Sequence, residues 1–176
     1  HMKSEIGLLF YNDFNRPVLE KLIHTNELTF TELFTAHPHI FIGKNHPLAN
    51  KKVVSMDELE EYPYISFEQG DHNSFYFSEE IFSTLVRPKH IRVRDRASLF
   101  SLLLGLDGYT VSSGVIDEEV NGENIISVPL AEQGLMHIGY ITNNKMQRSR
   151  LGQEYIQALE QYVGNYGRHI QLSETK

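Results

Sequence analysis

The amino-acid sequence predicts an α/β fold with parallel strands. Short apolar runs of strand length alternate with segments of helical periodicity, and turn residues separate them. No repeat, low-complexity tract or Gly/Ser linker interrupts this alternation. At 176 residues the chain can bury one sizeable core or two small ones, so we expect one or two compact lobes.

The first predicted elements are a strand, a helix and a second strand. EIGLLFYN, which begins at Glu5, has the apolar density of a buried strand, and Pro17 stands at the expected start of a helix through PVLEKLIHTNE. LTFTELF alternates apolar and polar residues, which is typical of a strand with one buried face. Residues 1–2 show no such pattern, and we interpret them as the remnant of an affinity tag.

The next segment carries clear local signals. A strand is predicted over His39–Gly43, and PYISF predicts another. Between them, Ser55 and Glu58 have the spacing of a capping box, which predicts a helix that Pro63 ends within two turns.

The second half of the chain continues the alternation. Residues 74–85 have roughly helical spacing, and RPKHIRVRD predicts a strand. Asp95 is placed to cap a helix through RASLFSLLLGL, and Gly108 is placed to end that helix in a left-handed conformation. YTVSSGV, IISVPL and MHIGYIT predict three strands before an amphipathic terminal helix through SRLGQEYIQALEQYV.

Composition narrows the function classes. Sixteen scattered basic residues against 23 acidic ones give a net charge of −7, which argues against nucleic-acid binding by this chain. The lack of cysteine excludes disulfides and thiol nucleophiles, and the apolar run SLFSLLLGL is too short to cross a bilayer. A cytoplasmic domain without membrane contact is expected.

Three local motifs fail as catalytic, metal or phosphate sites. Residues 43–45, GKN, lack the preceding glycine and the following Ser or Thr of a phosphate loop. His37, His39 and His46 lie close together, but no carboxylate stands at a supporting spacing, so we interpret them as surface or hinge histidines. SSG at 112–114 does not form a nucleophile elbow. No metal, cofactor or catalytic residue is therefore predicted.

Polar residues after two predicted strands indicate a ligand site. YISFEQGDHNSF and IRVRDRASLF each run from a strand into polar residues and then into a helix. Ligands of open α/β sheets gather at the carboxyl ends of strands, where helix N-termini favour anions. A small anionic or zwitterionic ligand is predicted near Ser66, Glu68, Gln69, Arg94, Arg96 and Ser98. Capping and solvation are the alternative roles of these residues.

Several segments, in this order, resemble the effector-binding domain of LysR-type transcriptional regulators. They are HPLA at 46–49, SMDELEEYPYISF at 55–67, IRVRDRASLFSLLLGLDGYTVSSGV at 91–115, and MHIGYIT with the C-terminal helix. The resemblance covers the chain from about Glu5 to Val163.

The resemblance implies a type II periplasmic-binding-protein fold, in which two crossover strands join two α/β lobes and an effector binds in the cleft. It adds Gly43 and Lys44 to the expected ligand contacts. The implied divisions are lobe I at 3–36 and 131–170, lobe II at 37–130, a tail at 171–176, and crossovers near Ala36–Gly43 and Ile126–Leu130.

The sequence departs from the family pattern in two respects. The family's effector-gripping strand and helix, and its winged helix-turn-helix, have no counterpart before Glu5. We therefore expect an N-terminally truncated domain with an incomplete lobe I, in which DNA binding belongs to the full-length protein. GYTVSS also holds serines where the family often has Leu-Pro, which makes the bottom of the implied cleft more polar.

FIGKNHPLA and LLLGLDGYTVSSGV are similar to a subgroup of regulators tied to sulphur amino-acid or amino-acid uptake. The expected function is therefore sensing of an amino-acid-like effector and dimerisation, with a homodimer or tetramer in the full-length protein. An extracellular solute-binding protein of the same fold and a small-molecule enzyme are the alternatives.

Overall fold

A computed structural model describes residues 4–68, 81–82, 84–116 and 121–173. Its helices and strands alternate for much of the chain. They are β1 (Ile6–Tyr11), α1 (Arg16–Thr25), β2 (Leu28–Ala36), β3 (His39–Gly43), a 3-10 helix (Asp57–Leu59), β4 (Tyr64–Phe67), β5 (His90–Val93), α2 (Arg96–Gly105), β6 (Thr110–Ser112), β7 (Ile125–Pro129), β8 (Met136–Asn143) and α3 (Arg150–Ser173).

The chain divides into two compact units, residues 1–35 with 137–176 and residues 36–136. The first unit contains a sheet with the strand order β1-β8-β2. Pro17 lies in the first turn of α1, as predicted, where its missing N–H costs the helix no hydrogen bond. Gly139 of β8 lies so close to the carbonyl oxygen of Thr31 and the ring of Phe30 that a Cβ atom would clash with both.

The second unit contains a three-stranded sheet, β6-β3-β7, and the pair β4-β5. Helix α2 covers these strands, because Leu99 and Leu103 pack into one buried cluster with Phe41, Ile65 and Val93. Each such side chain contributes roughly 1.5–3 kcal/mol when it is fully buried. The start of α2 is therefore held firmly beside β3 and β4.

The expectation of parallel strands is wrong for most of the sheet pairings with a described register. The β4–β5 pairing is parallel, whereas β1–β8, β3–β6 and β3–β7 are antiparallel. A parallel pair needs a crossover that returns the chain to the same sheet. After β3 the chain instead enters a separate strand pair, and it comes back to β3 much later through β6 and β7. Apolar patterns reveal strands but not their partners.

Two local predictions need correction. Glu58 accepts hydrogen bonds from the backbone N–H of Ser55 at 3.0 Å and from its hydroxyl at 3.3 Å, so half of the capping box forms. The segment is nevertheless a 3-10 helix of three residues, because too little chain remains before Pro63 for an α-helix. After α2 the left-handed residue is Asp107, with φ 50°, and not Gly108.

The cap of α2 forms as predicted. The carboxylate of Asp95 accepts hydrogen bonds from both the backbone N–H and the hydroxyl of Ser98, each at 2.8 Å. These bonds hold the pKa of Asp95 below its usual range. The helix predicted within residues 74–85 lies largely outside the described residues.

Candidate functional site

A pocket of about 270 Å³ opens in the second unit beside the first turn of α2. Strands β3 and β6 supply one wall, the end of β4 a second and α2 a third. The lining residues are Phe41, Phe67, Arg96, Leu99, Phe100, Thr110, Val111, Ser112 and Val115.

The sheet wall of the pocket follows from strand register. Phe41 of β3 stands directly opposite Thr110 of β6, so their side chains lie on the same face of the sheet. Ser112 returns to that face because side chains alternate along a strand. Phe41 and Thr110 are 8% and 6% exposed. The wall therefore combines an aromatic ring with two hydroxyl groups.

The helical wall carries the positive charge of the pocket. Arg96 is the first residue of α2, and Phe100 lies one turn later on the same face. The guanidinium carbon of Arg96 is 5.1 Å from the centre of the Phe100 ring. Arg96 also donates a hydrogen bond to the amide oxygen of Asn121, and no carboxylate in the described part of the chain forms a salt bridge with it. Among the described residues, the charge of Arg96 is therefore not neutralised by a carboxylate.

Two of the predicted residues, Glu68 and Arg94, pair with each other. They follow β4 and β5, whose parallel register brings both strand ends to one edge, and they form an exposed salt bridge. The backbone N–H of Glu68 also donates to the carbonyl of Val93 at 2.8 Å. The salt bridge lowers the pKa of Glu68 and raises that of Arg94. Neither side chain lines the pocket.

Ser66 lies on the other face of the same strands. Its neighbours Ile65 and Phe67 pack towards α2, and side chains alternate, so Ser66 points away from that helix. Its buried hydroxyl lies 2.7 Å from Nε2 of His90. Partial burial of its ring lowers the pKa of His90, and the nearby positive charge of Arg92 lowers it further. The structure therefore does not bring Ser66 together with Arg96.

The remaining predicted residues lie around the pocket rather than in its lining. Ser98 is engaged with Asp95. A Cβ atom on Gly43 would lie 3.1 Å from Leu104 Cδ2, so this glycine permits close packing of α2 against β3. The Lys44 side chain is exposed. Gln69 lies outside the described residues.

His46, one of the histidines considered for a metal site, has a structural role. It is 3% exposed, and its Nδ1 accepts a hydrogen bond from the backbone N–H of Leu48 at 3.0 Å. Nε2 must then carry the proton, which it donates to the carbonyl of Asp107 at 3.0 Å. Burial lowers the pKa of His46. Within the described residues, no three potential ligands gather as a metal site.

Sequence reasoning missed the aromatic part of the site. Phe41, Phe67 and Phe100 line the pocket, as does Thr110. Two signals were present: Phe67 ends the strand directly before Glu68, and Phe100 follows Arg96 by one helical turn. The polar departure at Ser112 was recognised.

The family comparison identifies the domain type. The LysR substrate binding domain model matches residues 16–164, whereas a search of curated proteins finds no match. No helix of the described chain has the length and hydropathy needed to cross a membrane.

Solved structures with the same fold include LysR family proteins. HinK, a LysR family transcriptional regulator from Pseudomonas aeruginosa, is 15% identical with a TM-score of 0.59, and the match covers 93% of this chain and 54% of that one. The chain thus spans about half of the HinK structure. The effector binding domain of QuiR in complex with shikimate is 16% identical with a TM-score of 0.59, over 93% of this chain and 73% of that one.

A third similar structure is the regulatory domain of Synechocystis PCC6803 CcmR in complex with 2-PG. It is 13% identical with a TM-score of 0.59, over 93% of this chain and 75% of that one. The predicted α/β fold of the type II periplasmic-binding-protein kind is confirmed. Because the family model covers most of the sequence, the chain belongs to the LysR substrate-binding domain family.

Proposed function

We propose that this chain is the effector-sensing part of a LysR-type transcriptional regulator, and that the Arg96 pocket holds a small anionic effector. The observation that carries the proposal is the Arg96 guanidinium. It lies at the mouth of an apolar pocket, has a neutral amide partner and forms no salt bridge within the described residues. Family membership supports a regulatory role over an extracellular solute-binding protein.

The chemistry of Arg96 suits a carboxylate. A guanidinium presents planar N–H donors that match the two oxygens of a carboxylate, and stacking on an aromatic ring restricts its orientation. Phe100 provides that ring. Because Arg96 is exposed, water screens part of the attraction between the two charges, and the matching geometry of the donors contributes the selectivity.

The described residues of the pocket do not pair a nucleophile with a base. Thr110 and Ser112 supply hydroxyl groups, but within the described residues neither side chain is hydrogen-bonded to a histidine or a carboxylate. A hydroxyl nucleophile needs such a base within hydrogen-bond reach. The geometry therefore favours binding over turnover.

The remaining parts of the proposal rest on family membership. They comprise a cytoplasmic location, a homodimer or tetramer of the full-length protein, and DNA contact through a winged helix-turn-helix domain. An effector would act by binding two conformations with different affinities and so shifting their populations. An effector with equal affinity for both would change nothing.

The proposal is tested by calorimetric titration of this chain with a panel of small carboxylates. We expect at least one carboxylate to bind. Arg96→Gln should weaken that binding about 10- to 100-fold, because it removes a hydrogen bond to a charged group, whose free energy corresponds to a change of that size. Arg92→Gln is the matched control, because Arg92 is exposed on the strand face that points away from α2. No binding at millimolar concentration, or equal binding by the Arg96 variant, would contradict the proposal.

A further inference from the structure

We infer that the Arg96 pocket selects a carboxylic acid that carries a flat, hydroxylated ring and no ammonium group. This inference rests on the proposed effector-binding role and narrows its ligand class. The sequence alone left anionic and zwitterionic ligands open. The pocket walls distinguish between them.

The aromatic walls select a ring. Phe41, Phe67 and Phe100 come from β3, β4 and α2, and they converge on one pocket together with Leu99 and Val115. Aromatic side chains hold a planar ligand by offset stacking and edge-to-face contacts. A short aliphatic acid would make fewer contacts with these rings and would leave the pocket partly filled.

The charges of the described pocket residues disfavour an ammonium group. Within the part of the chain that the structure describes, nine residues line the pocket, and none of them is acidic. Asp95 and Glu68 stand nearby in sequence, but Asp95 accepts hydrogen bonds from Ser98 and Glu68 pairs with Arg94. An ammonium group would therefore be desolvated without a carboxylate partner among the described residues, which is unfavourable.

The ring faces do not compensate for that missing partner. An aromatic face can attract a cation. The face of Phe100, however, already lies beneath the Arg96 guanidinium, which would repel a second positive charge. The same cation attracts the carboxylate of the proposed ligand, so the pocket favours a net negative charge.

Two hydroxyl groups select a polar substituent on the ring. The side chains of Thr110 and Ser112 line the sheet wall, and neither makes a hydrogen bond within the described residues. A hydroxyl can both donate and accept, so it matches a hydroxyl on the ligand. A ligand that lacks a hydroxyl group would cover the hydroxyls of Thr110 and Ser112 and leave them without a hydrogen bond. Sites with polar groups of this kind discriminate strongly against such a ligand.

The test uses calorimetric titration of the 176-residue chain with matched pairs of probes. Tyrosine and 3-(4-hydroxyphenyl)propionate differ by the ammonium group, 4-hydroxybenzoate and benzoate by the hydroxyl, and 4-hydroxybenzoate and 4-hydroxybenzyl alcohol by the carboxylate. We expect tyrosine to bind more weakly than 3-(4-hydroxyphenyl)propionate, because tyrosine carries the ammonium group. In the other two pairs 4-hydroxybenzoate should bind more tightly, each difference being on the order of tenfold.

Two variants connect these differences to the walls. Thr110→Val keeps the shape of the side chain and suits a strand, and it should reduce the preference for 4-hydroxybenzoate over benzoate by about fivefold or more. Phe100→Leu should weaken every ring probe by about three- to tenfold. Thermal melting of each variant verifies that it is folded before it is titrated.

The outcomes separate the inference from the proposed function. Equal or tighter binding of tyrosine than of its deaminated partner, or of benzoate than of 4-hydroxybenzoate, would overturn the ligand class. Binding of aliphatic acids or amino acids in an Arg96-dependent manner, without binding of the ring acids, would overturn the inference and leave the sensor role standing. No binding of any carboxylate would overturn both.

Discussion

Two arginines of the second unit lie against aromatic rings, and their surroundings give them different roles. The guanidinium of Arg87 is 4.0 Å from the centre of the Tyr64 ring, and that of Arg96 is 5.1 Å from the centre of the Phe100 ring. Each lines a pocket, of about 160 Å³ for Arg87 and about 270 Å³ for Arg96. Residue type and ring contact alone would not distinguish them.

Hydrogen bonds within the protein make the difference. Arg87 donates from Nε to the hydroxyl of Tyr109 at 3.0 Å, and from Nη1 to the carbonyls of Phe82 at 3.1 Å and Leu85 at 3.0 Å. Arg96 donates to an amide.

The acidic residues around the two arginines also differ. Asp57 and Glu60 line the Arg87 pocket, whereas none of the described residues that line the Arg96 pocket is acidic. We therefore expect an anion to be less favoured in the Arg87 pocket than in the Arg96 pocket. The comparison teaches that the role of a guanidinium depends on how many of its donors the chain already uses.

The largest effect is expected from substitution of Arg87, whose donors bond the protein itself. Arg87→Met should lower the free energy of unfolding by about 2–4 kcal/mol, because two carbonyls and the buried Tyr109 hydroxyl lose a charged donor. Denaturant titration measures this loss. The ligand affinity of the folded fraction should stay unchanged.

Arg92→Met is the control for the loss of an exposed arginine, and it should change stability by less than about 0.5 kcal/mol. The comparison would be wrong if Arg87→Met left the protein fully stable. It would also be wrong if Arg87→Met weakened ligand binding as strongly as Arg96→Gln.

A second, pH-dependent effect concerns His46, which contacts a residue that lines the Arg87 pocket. The centre of its ring is 4.4 Å from that of Tyr62, which lines the Arg87 pocket, and its Nε2–H donates to the carbonyl of Asp107, two residues after the end of α2. Burial lowers the pKa of His46 in the folded protein. Protonation would also remove the acceptor that Nδ1 offers to the N–H of Leu48.

The direction of the pH effect follows from proton binding. Below about pH 6.5 the unfolded chain binds a proton that the folded protein resists, so the free energy of unfolding falls as the pH falls through that value. His90, whose pKa is also lowered, contributes in the same direction. The stability from both is fully present above the unfolded pKa.

Unfolding measured at pH 7.5 and 5.5 tests this expectation. His46→Gln should lower stability at pH 7.5 and also reduce the loss between the two pH values. His90→Gln should reduce the loss with a smaller change at pH 7.5, because His90 is only partly buried whereas His46 is 3% exposed. A pH dependence identical to that of the unmodified chain in both variants would exclude these histidines as its source.

The structural features that the sequence predicted well are those that depend on residues close together in the sequence. Asp95 caps α2 through Ser98, three residues away, and the helix start placed Arg96 correctly beside a strand end. Both follow from local geometry, so periodicity and capping rules were sufficient. The family fold was predicted from the order of several such segments.

Features that depend on distant pairing were not predictable in the same way. The meeting of Phe41 and Thr110 depends on the register between β3 and β6, which lie far apart in the sequence. Ser66 and Arg96 were expected together, but the packing of Ile65 towards α2 directs Ser66 to the opposite face. A single sequence does not specify which face of a strand meets which helix.

The smallest expected effect concerns the strand-end pair. Glu68→Gln and Arg94→Gln should each leave stability unchanged within the error of denaturant titration, because an exposed ion pair is screened by water and salt.

The effect of these substitutions on ligand affinity tests where the effector binds. We expect none for Arg94→Gln, since Arg94 is paired with a carboxylate and Arg96, two residues later, is not. If calorimetry found that Arg94→Gln weakens carboxylate binding as much as Arg96→Gln does, the Glu68 salt bridge would have to open on binding. The effector would then reach the carboxyl ends of β4 and β5, where the sequence predicted it.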